Sequence, residues 1–287
     1  KPYVLITFEQ FKQYVLKIEP VPSKMKKENY KYLTKLLKKL NIKYKIFEYH
    51  PLMEIDCSSL FNDDDCVIFY GSLNLARDLR KKSKWVPGVW GDLNKLKCTT
   101  YYNYLGEFLL NSDYIMLPYG ELLRRKEFLF NNVGNNDALF IRPDSGFKTF
   151  TGTVIYKNSY EADVKQLGFY DVDAANIVIV SEPKNIYEEY RMICVDKQIV
   201  TGCMYKLNRK EHHSTSVPEE VFEFATKIAN KWQPDNCFTI DVCKTDDGYK
   251  LVEINSFSSS GFYVCDIEKI VTAATEMAIK EFKEFDV

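Results

Sequence analysis

Phe238-Thr239-Ile240-Asp241-Val242-Cys243 and Tyr249-Lys250-Leu251-Val252-Glu253-Ile254-Asn255 are two apolar runs separated by a turn containing Asp246-Asp247-Gly248. Such a pattern reads as a β-hairpin. A three-residue loop, with Gly248 in the left-handed conformation of a bulge, predicts pairing of Thr245 with Tyr249, Cys243 with Leu251 and Asp241 with Glu253. Strand alternation then sets Asn255 on the same face, two residues beyond Glu253.

Carboxylates directly opposite one another repel. A divalent cation between Asp241 and Glu253 removes the conflict, and two carboxylates with an amide oxygen suit magnesium. Magnesium keeps waters and completes its shell with phosphates, so the same set hints at a nucleotide. The alternative is an ordinary hairpin of different register with its acids in water.

A second element lies upstream. Leu139-Phe140-Ile141 reads as a strand that runs into Arg142-Pro143-Asp144-Ser145-Gly146-Phe147-Lys148-Thr149-Phe150-Thr151-Gly152, and Thr153 to Tyr156 as the next strand. Two cations and flexible glycines between strands suit a loop folding over phosphates. A glycine-containing β-turn with solvated charges is the alternative. Neither Walker A nor G-x-G-x-x-G spacing is present. Further on, Ile177 to Val180 stops at Ser181-Glu182-Pro183, and Tyr190 to Val195 pairs with Gln198 to Met204 across Asp196-Lys197. Ser216 and Glu219 have capping-box spacing before a helix with Val221, Ala225, Ile228 and Trp232 on one face. Asp266 starts a terminal helix whose Ile267, Ile270, Val271, Ala274 and Met277 face inward.

The first third alternates strands and helices. Tyr3 to Phe8, Ile42 to Phe47 and Cys66 to Tyr70 are candidate strands, the last ending at Gly71-Ser72. Between the first two, Ser23 caps a helix with Leu33, Leu36, Leu37 and Leu40 on one side. Lys26, Lys27, Lys31, Lys35, Lys38 and Lys39 form its solvated side. The order implies a small, mostly parallel sheet with helices on its faces. Trp85-Val86-Pro87-Gly88-Val89-Trp90 is a turn with a hydrophobic anchor, and Asp63-Asp64-Asp65 a solvated acidic run. The pattern loosens around 111–120, which divides the chain into an N-terminal α/β domain, 1–118, and a second domain, 119–287.

Composition sets the outer limits. Hydrophobic residues make up 46% of the 287 and aromatic ones 15%, enough for a large core, which excludes disorder. With 39 Lys+Arg against 40 Asp+Glu there is no basic surplus for a nucleic-acid backbone, and no binding of that kind is expected. No apolar run approaches the roughly 20 residues of a membrane span, and no leader is visible. The eight cysteines are scattered without a C-x-x-C pair and read as reduced, buried thiols of a cytoplasmic protein.

The second half resembles an ATP-grasp domain. Thr239-Ile240-Asp241-Val242, the Asp-Gly turn and Leu251-Val252-Glu253-Ile254-Asn255 are similar to that superfamily's magnesium-binding hairpin in residue type and spacing. Arg142-Pro143 falls where many members carry Lys-Pro. Ser181-Glu182-Pro183 falls at the hinge that holds adenine, and Glu189-Tyr190-Arg191 where a glutamate commonly contacts the ribose. More narrowly, Arg-Pro…Lys-x-Phe-Thr-Gly and the Trp/Pro-Gly turn resemble a clade of phages and bacteria typified by an arginine and two lysines. Lys148 is then one of the two lysines. Lys126 is the best-placed candidate for the other, with a charged helix face as its alternative reading.

The resemblance implies an N-terminal α/β domain followed by two α+β lobes that clasp ATP. It implies a ligase that phosphorylates a carboxylate and lets an amine attack the acyl phosphate. Asp241, Glu253 and Asn255 then hold Mg2+; Arg142, Lys148 and Lys126 contact phosphates; Ser181, Glu182 and Glu189 contact the nucleoside; Arg191 and Arg209 hold the acyl phosphate. His212 and His213 read as loop residues. Expected partners are small-molecule or peptide carboxylates and amines, with no membrane, in a monomer or homodimer. The host cytoplasm is the expected compartment if the chain is phage-encoded. A phosphotransferase and a non-catalytic nucleotide-binding module on the same fold are the alternatives.

Overall fold

The computed structural model describes residues 3–9, 31, 33–49, 55–168 and 172–285. Three sheets organise them. β1 (Tyr3–Glu9), β2 (Tyr44–Tyr49), β3 (Cys66–Tyr70) and β4 (Val86–Gly88) form a parallel sheet in the order β2-β1-β3-β4. Parallel neighbours need long crossovers. One includes the helical residues 33–39 (α1), which bury Leu33, Leu36 and Leu37 while Lys35, Lys38 and Lys39 stay exposed. Ser23, Lys26 and Lys27 lie outside the described residues. The strand expected from Ile42 begins at Tyr44, because Asn41 turns the chain at φ 52° and Ile42 goes into the core.

At the end of β3, Ser72 caps α2 (Leu73–Lys82) by accepting from the Leu75 N–H at 3.3 Å. Trp85 and Trp90 are buried on either side of β4, so the turn is anchored as expected. Asp63 of the acidic run faces solvent and pairs with Lys84 at 2.8 Å.

β5 (Tyr114–Pro118), β6 (Ala138–Pro143), β7 (Thr153–Tyr156) and β8 (Ile177–Ser181) form an antiparallel sheet in the order β5-β8-β6-β7. α4 (Lys126–Asn132) and α5 (Tyr160–Leu167) cover it with Leu129, Phe130, Tyr160 and Val164.

The largest sheet holds β9 (Glu188–Val195), β10 (Gln198–Leu207), β11 (Lys210–Ser214), β12 (Cys237–Thr245) and β13 (Gly248–Ser256), in the order β11-β10-β9-β12-β13. On one face Tyr190, Met192, Phe238, Ile240 and Val242 pack with α3 (Cys98–Leu105) and α6 (Glu219–Lys231). α7 (Ile267–Phe285) bridges this sheet and the parallel one, burying Ile270, Ala274, Met277 and Ala278 with Val4, Ile68, Trp90 and Ile193. This is the expected architecture of an α/β domain followed by two α+β lobes.

Three local expectations change. α6 begins at Glu219 after Pro218, with no side-chain cap, so the Ser216–Glu219 spacing makes no capping box. His212 and His213 lie in the edge strand β11 instead of a loop. In the β12–β13 hairpin, Thr245 pairs with Gly248, Lys244 with Tyr249 and Cys243 with Lys250, a turn one residue tighter than expected. Asp241 nevertheless faces Glu253, because Val252 is an extra residue in β13 that shifts the register between Asp241 and Val242. Gly248 has the positive φ, 89°, that the sequence assigned it.

Candidate functional site

The polar face of the largest sheet lies under the antiparallel one, and the charged groups meet there. β9 sets Arg191 opposite Asp241 of β12, and β13 brings Glu253 to the other side of Asp241. Arg191 Nε and Nη2 donate to Asp241 Oδ1 and Oδ2 at 2.8 and 2.6 Å, while Nη1 donates to the Gly261 carbonyl at 2.9 Å. Both partners are buried. The rings of Tyr205 and Tyr263 stack on each other 4.9 Å apart, and the Arg191 guanidinium lies beside the pair, 5.7 and 5.0 Å from their centres.

Glu253 is paired from the antiparallel sheet. Arg142 Nη2 of β6 donates to Oε2 at 3.2 Å, with Nη1 on the Val252 carbonyl at 3.1 Å. Lys148 Nζ, from the loop between β6 and β7, donates to Oε1 at 2.8 Å. Burial opposes the charge of Glu253, but Lys148 and Arg142 overcome it and hold the carboxyl far below the ordinary carboxylate value. Burial pushes the Asp241 carboxyl up against the pull of Arg191.

The like-charge conflict read from the hairpin is therefore answered by the chain's own cations. Three cationic side chains against two carboxylates leave one excess positive charge. Repulsion by itself does not call for a metal here. The donor set still fits one. Asn255 Nδ2 lies 3.2 Å from Asp241 Oδ2 and 3.0 Å from Glu253 Oε1, a donor standing where the two carboxylates converge. Turned over, the same amide presents its oxygen there, beside two carboxylates, a set of hard oxygens that suits Mg2+. Among the described residues, no group of three or more His, Cys, Asp or Glu side chains is placed to hold a metal ion, the Asp63–Asp65 run included.

The remaining sequence candidates divide. Glu189, on the same face of β9 as Arg191, is buried and accepts from Tyr205 Oη at 2.7 Å and Lys206 Nζ at 3.0 Å. Ser181 ends β8 fully buried, its Oγ without a hydrogen-bond partner among the described residues. Glu182 follows it, accepting from Asn135 and Lys184. Lys126 opens α4, 3.9 Å from Glu161 and over the Tyr160 ring, away from Glu253. Arg209 is exposed at the turn between β10 and β11. The structure thus brings Arg142, Lys148, Arg191, Asp241, Glu253 and Asn255 together and leaves Lys126 and Arg209 outside that cluster.

A profile of the ATP-grasp domain, family 2 of the clade named for one arginine and two lysines, matches residues 126–273. The chain belongs to this family. No curated protein sequence matches this ATP-grasp chain. Its fold is shared with D-alanine–D-alanine ligase from Bacillus anthracis, with a TM-score of 0.63 at 11% identity over 99% of each chain. D-cycloserine synthetase DcsG follows with 0.59 at 10% identity, over 96% of this chain and 99% of the other. The ATP-grasp ligase PsnB, complexed with a minimal precursor, gives 0.56 at 14% identity, over 97% and 98%. The Bacillus anthracis ligase is also known complexed with ATP, and PsnB with Mg and ADP. At such identities the likeness shows a shared fold, which in these three spans 96–99% of this chain.

Two features of this cluster were not read from the sequence. Tyr205 and Tyr263, 58 positions apart, stack beside Arg191, a gap spanned only by tertiary folding. Alternation along β10 from Cys203, opposite Arg191, would have found Tyr205 once the register was known. Tyr101 and Tyr102 of α3, buried beside Arg142, carry no local signal beyond their apolar spacing.

Proposed function

We propose that the chain is an ATP-dependent carboxylate–amine ligase forming an amide, peptide-like bond through an acyl phosphate. The observation that carries this reading is the meeting of Arg142, from one sheet, and Lys148, from a glycine-containing loop, on Glu253 of another sheet. A cluster with one excess positive charge, reached by a lysine-bearing loop, suits a polyphosphate. Membership of the ATP-grasp family and the shared fold support it.

In this reading Asp241, Glu253 and Asn255 would hold Mg2+, which when bound neutralises charge on the β- and γ-phosphates. Lys148 exchanges Glu253 Oε1 for phosphate oxygens, and Arg142 stabilises the transferred group with its planar fork. Arg191 keeps Asp241 in place, its observed donors being already committed to Asp241 and Gly261. The unpartnered Ser181 Oγ and the neighbouring Glu182 are assigned to the adenine, and Glu189 to the ribose. Lys126 and Arg209 require lobe or turn movement to reach a phosphate. A substrate carboxylate oxygen attacks the γ-phosphorus and ADP leaves with the bridging oxygen. The amine nitrogen then attacks the acyl carbon, phosphate departs, and the nitrogen loses a proton. The amine is itself the nucleophile, so no Cys or His is required. Small-molecule or peptide acids and amines are the substrate class.

Calorimetry of ATP binding, with and without Mg2+, tests this on the wild type and on Glu253→Gln. Expected is magnesium-dependent binding, weakened at least about tenfold in the variant, followed by ADP release in a screen of acids with amines. Absence of binding in every condition refutes the reading.

A further inference from the structure

Lys148 reaches Glu253 from a loop that is moored outside its own sheet. Asp144, two residues after Arg142, accepts the Thr99 backbone N–H on Oδ1 at 2.7 Å and the Thr99 hydroxyl on Oδ2 at 2.8 Å. Its carbonyl accepts the Cys98 N–H at 3.1 Å. Cys98 and Thr99 are the first residues of α3, and Lys97 before them supplies no side-chain cap. Asp144 therefore caps α3 from 45 positions away, placing a carboxylate at the positive end of the helix.

Two further contacts continue the mooring. A Cβ on Gly146 would stand 2.8 Å from Leu96 Cβ and 3.2 Å from the Leu93 carbonyl, so the loop lies flush on the segment that leads into α3. Phe147 carries the Arg77 guanidinium of α2 at 5.0 Å. The Lys148 N–H closes a turn on the Ser145 carbonyl at 3.1 Å, and Lys148 itself has φ 53°, a left-handed conformation that a non-glycine residue keeps only where its surroundings impose it. A continuous set of contacts thus runs from the start of α3 through Asp144 and the turn to Lys148 and Glu253.

We propose that Asp144 is a positioning residue for the phosphate-facing loop: by capping α3 it fixes the base from which Lys148 reaches Glu253, and so sets the affinity for the phosphates of the nucleotide. This rests on the ATP reading above. Asp144 touches no phosphate in this scheme; it acts through Lys148. The consequence is energetic coupling between Asp144 and Lys148, which a purely structural cap does not produce.

The test is a double-mutant cycle read by calorimetry of ATP with Mg2+, on the wild type, Asp144→Ala, Lys148→Met and the double variant. Each single variant is expected to weaken binding roughly five- to tenfold, whereas adding Asp144→Ala to Lys148→Met costs less than about twofold more. Amide hydrogen exchange of nucleotide-free protein should show residues 145–148 deprotected in Asp144→Ala, with the β12–β13 hairpin unchanged. Losses that multiply in the double variant overturn the proposal while leaving the ATP reading intact. A folded wild type that binds no ATP overturns both. If Asp144→Ala does not fold, Thr99→Val, which removes only the hydroxyl bond, enters the same cycle. It is then expected to weaken binding about two- to threefold in the wild-type background and not at all with Lys148→Met.

Discussion

Asp241→Asn, studied in chelator without nucleotide, separates two physical accounts of the carboxylate pair. If repulsion between Asp241 and Glu253 dominates the metal-free protein, removing one charge stabilises it. The structure predicts the reverse. The Asp241 side chain is 2% exposed and that of Arg191 8%, and their two bonds of 2.8 and 2.6 Å are the contacts that compensate the guanidinium charge. Asparagine can accept only one of the two N–H groups and turns a donor toward the other, leaving a buried cation without its counterion. Breaking such a pair costs about 3–5 kcal/mol. For a chain of this size that corresponds to a fall in melting temperature on the order of 10 °C. Differential scanning calorimetry in EDTA is the assay. Replacing both partners, as Arg191→Met with Asp241→Leu, should recover much of the loss, because no charge remains buried. An Asp241→Asn melting temperature equal to or above the wild type would refute the assignment of Arg191 as the partner that neutralises Asp241.

Two other outcomes follow from contacts elsewhere in the fold. Burial raises the Asp235 carboxyl from 3.8 to about 6, beside Arg80, Lys95 and Asp92. A folded-state value above the unfolded one stabilises fully below 3.8 and is lost as pH rises through about 6. Unfolding followed from pH 4 to 7 should therefore show a decline in the wild type that Asp235→Asn lacks. Gly91 faces Ser256, and a Cβ there would meet Ser256 Oγ at 2.4 Å and its Cβ at 3.0 Å. Gly91→Ala should cost about 1–3 kcal/mol in urea unfolding, with Ser256→Gly restoring most of it; a neutral Gly91→Ala would contradict the packing.

The hairpin shows where local reading stops. Its two strands and its aspartate-glycine turn are legible because alternation and turn chemistry act over a few residues. The loop length inferred from them is off by one residue, and the bulge at Val252 compensates, so the opposition of Asp241 and Glu253 survives. Arg142, Lys148 and Arg191 were likewise legible as cations in strand or loop settings. That they meet those two carboxylates was not, since each contact spans 50 positions or more. Lys126 and Arg209 had equal standing as charged residues in the sequence, and the fold leaves them outside the cluster.

Short-range patterns determined the element types, the polar hairpin face and the resemblance to the ATP-grasp superfamily, because periodicity, capping and turn geometry are properties of neighbouring residues. Tertiary structure alone decided how the charges are partnered. Which cation neutralises which carboxylate depends on sheet order and on the approach of one sheet to another. Those are set by burial of apolar faces over the whole chain, and no local window contains them.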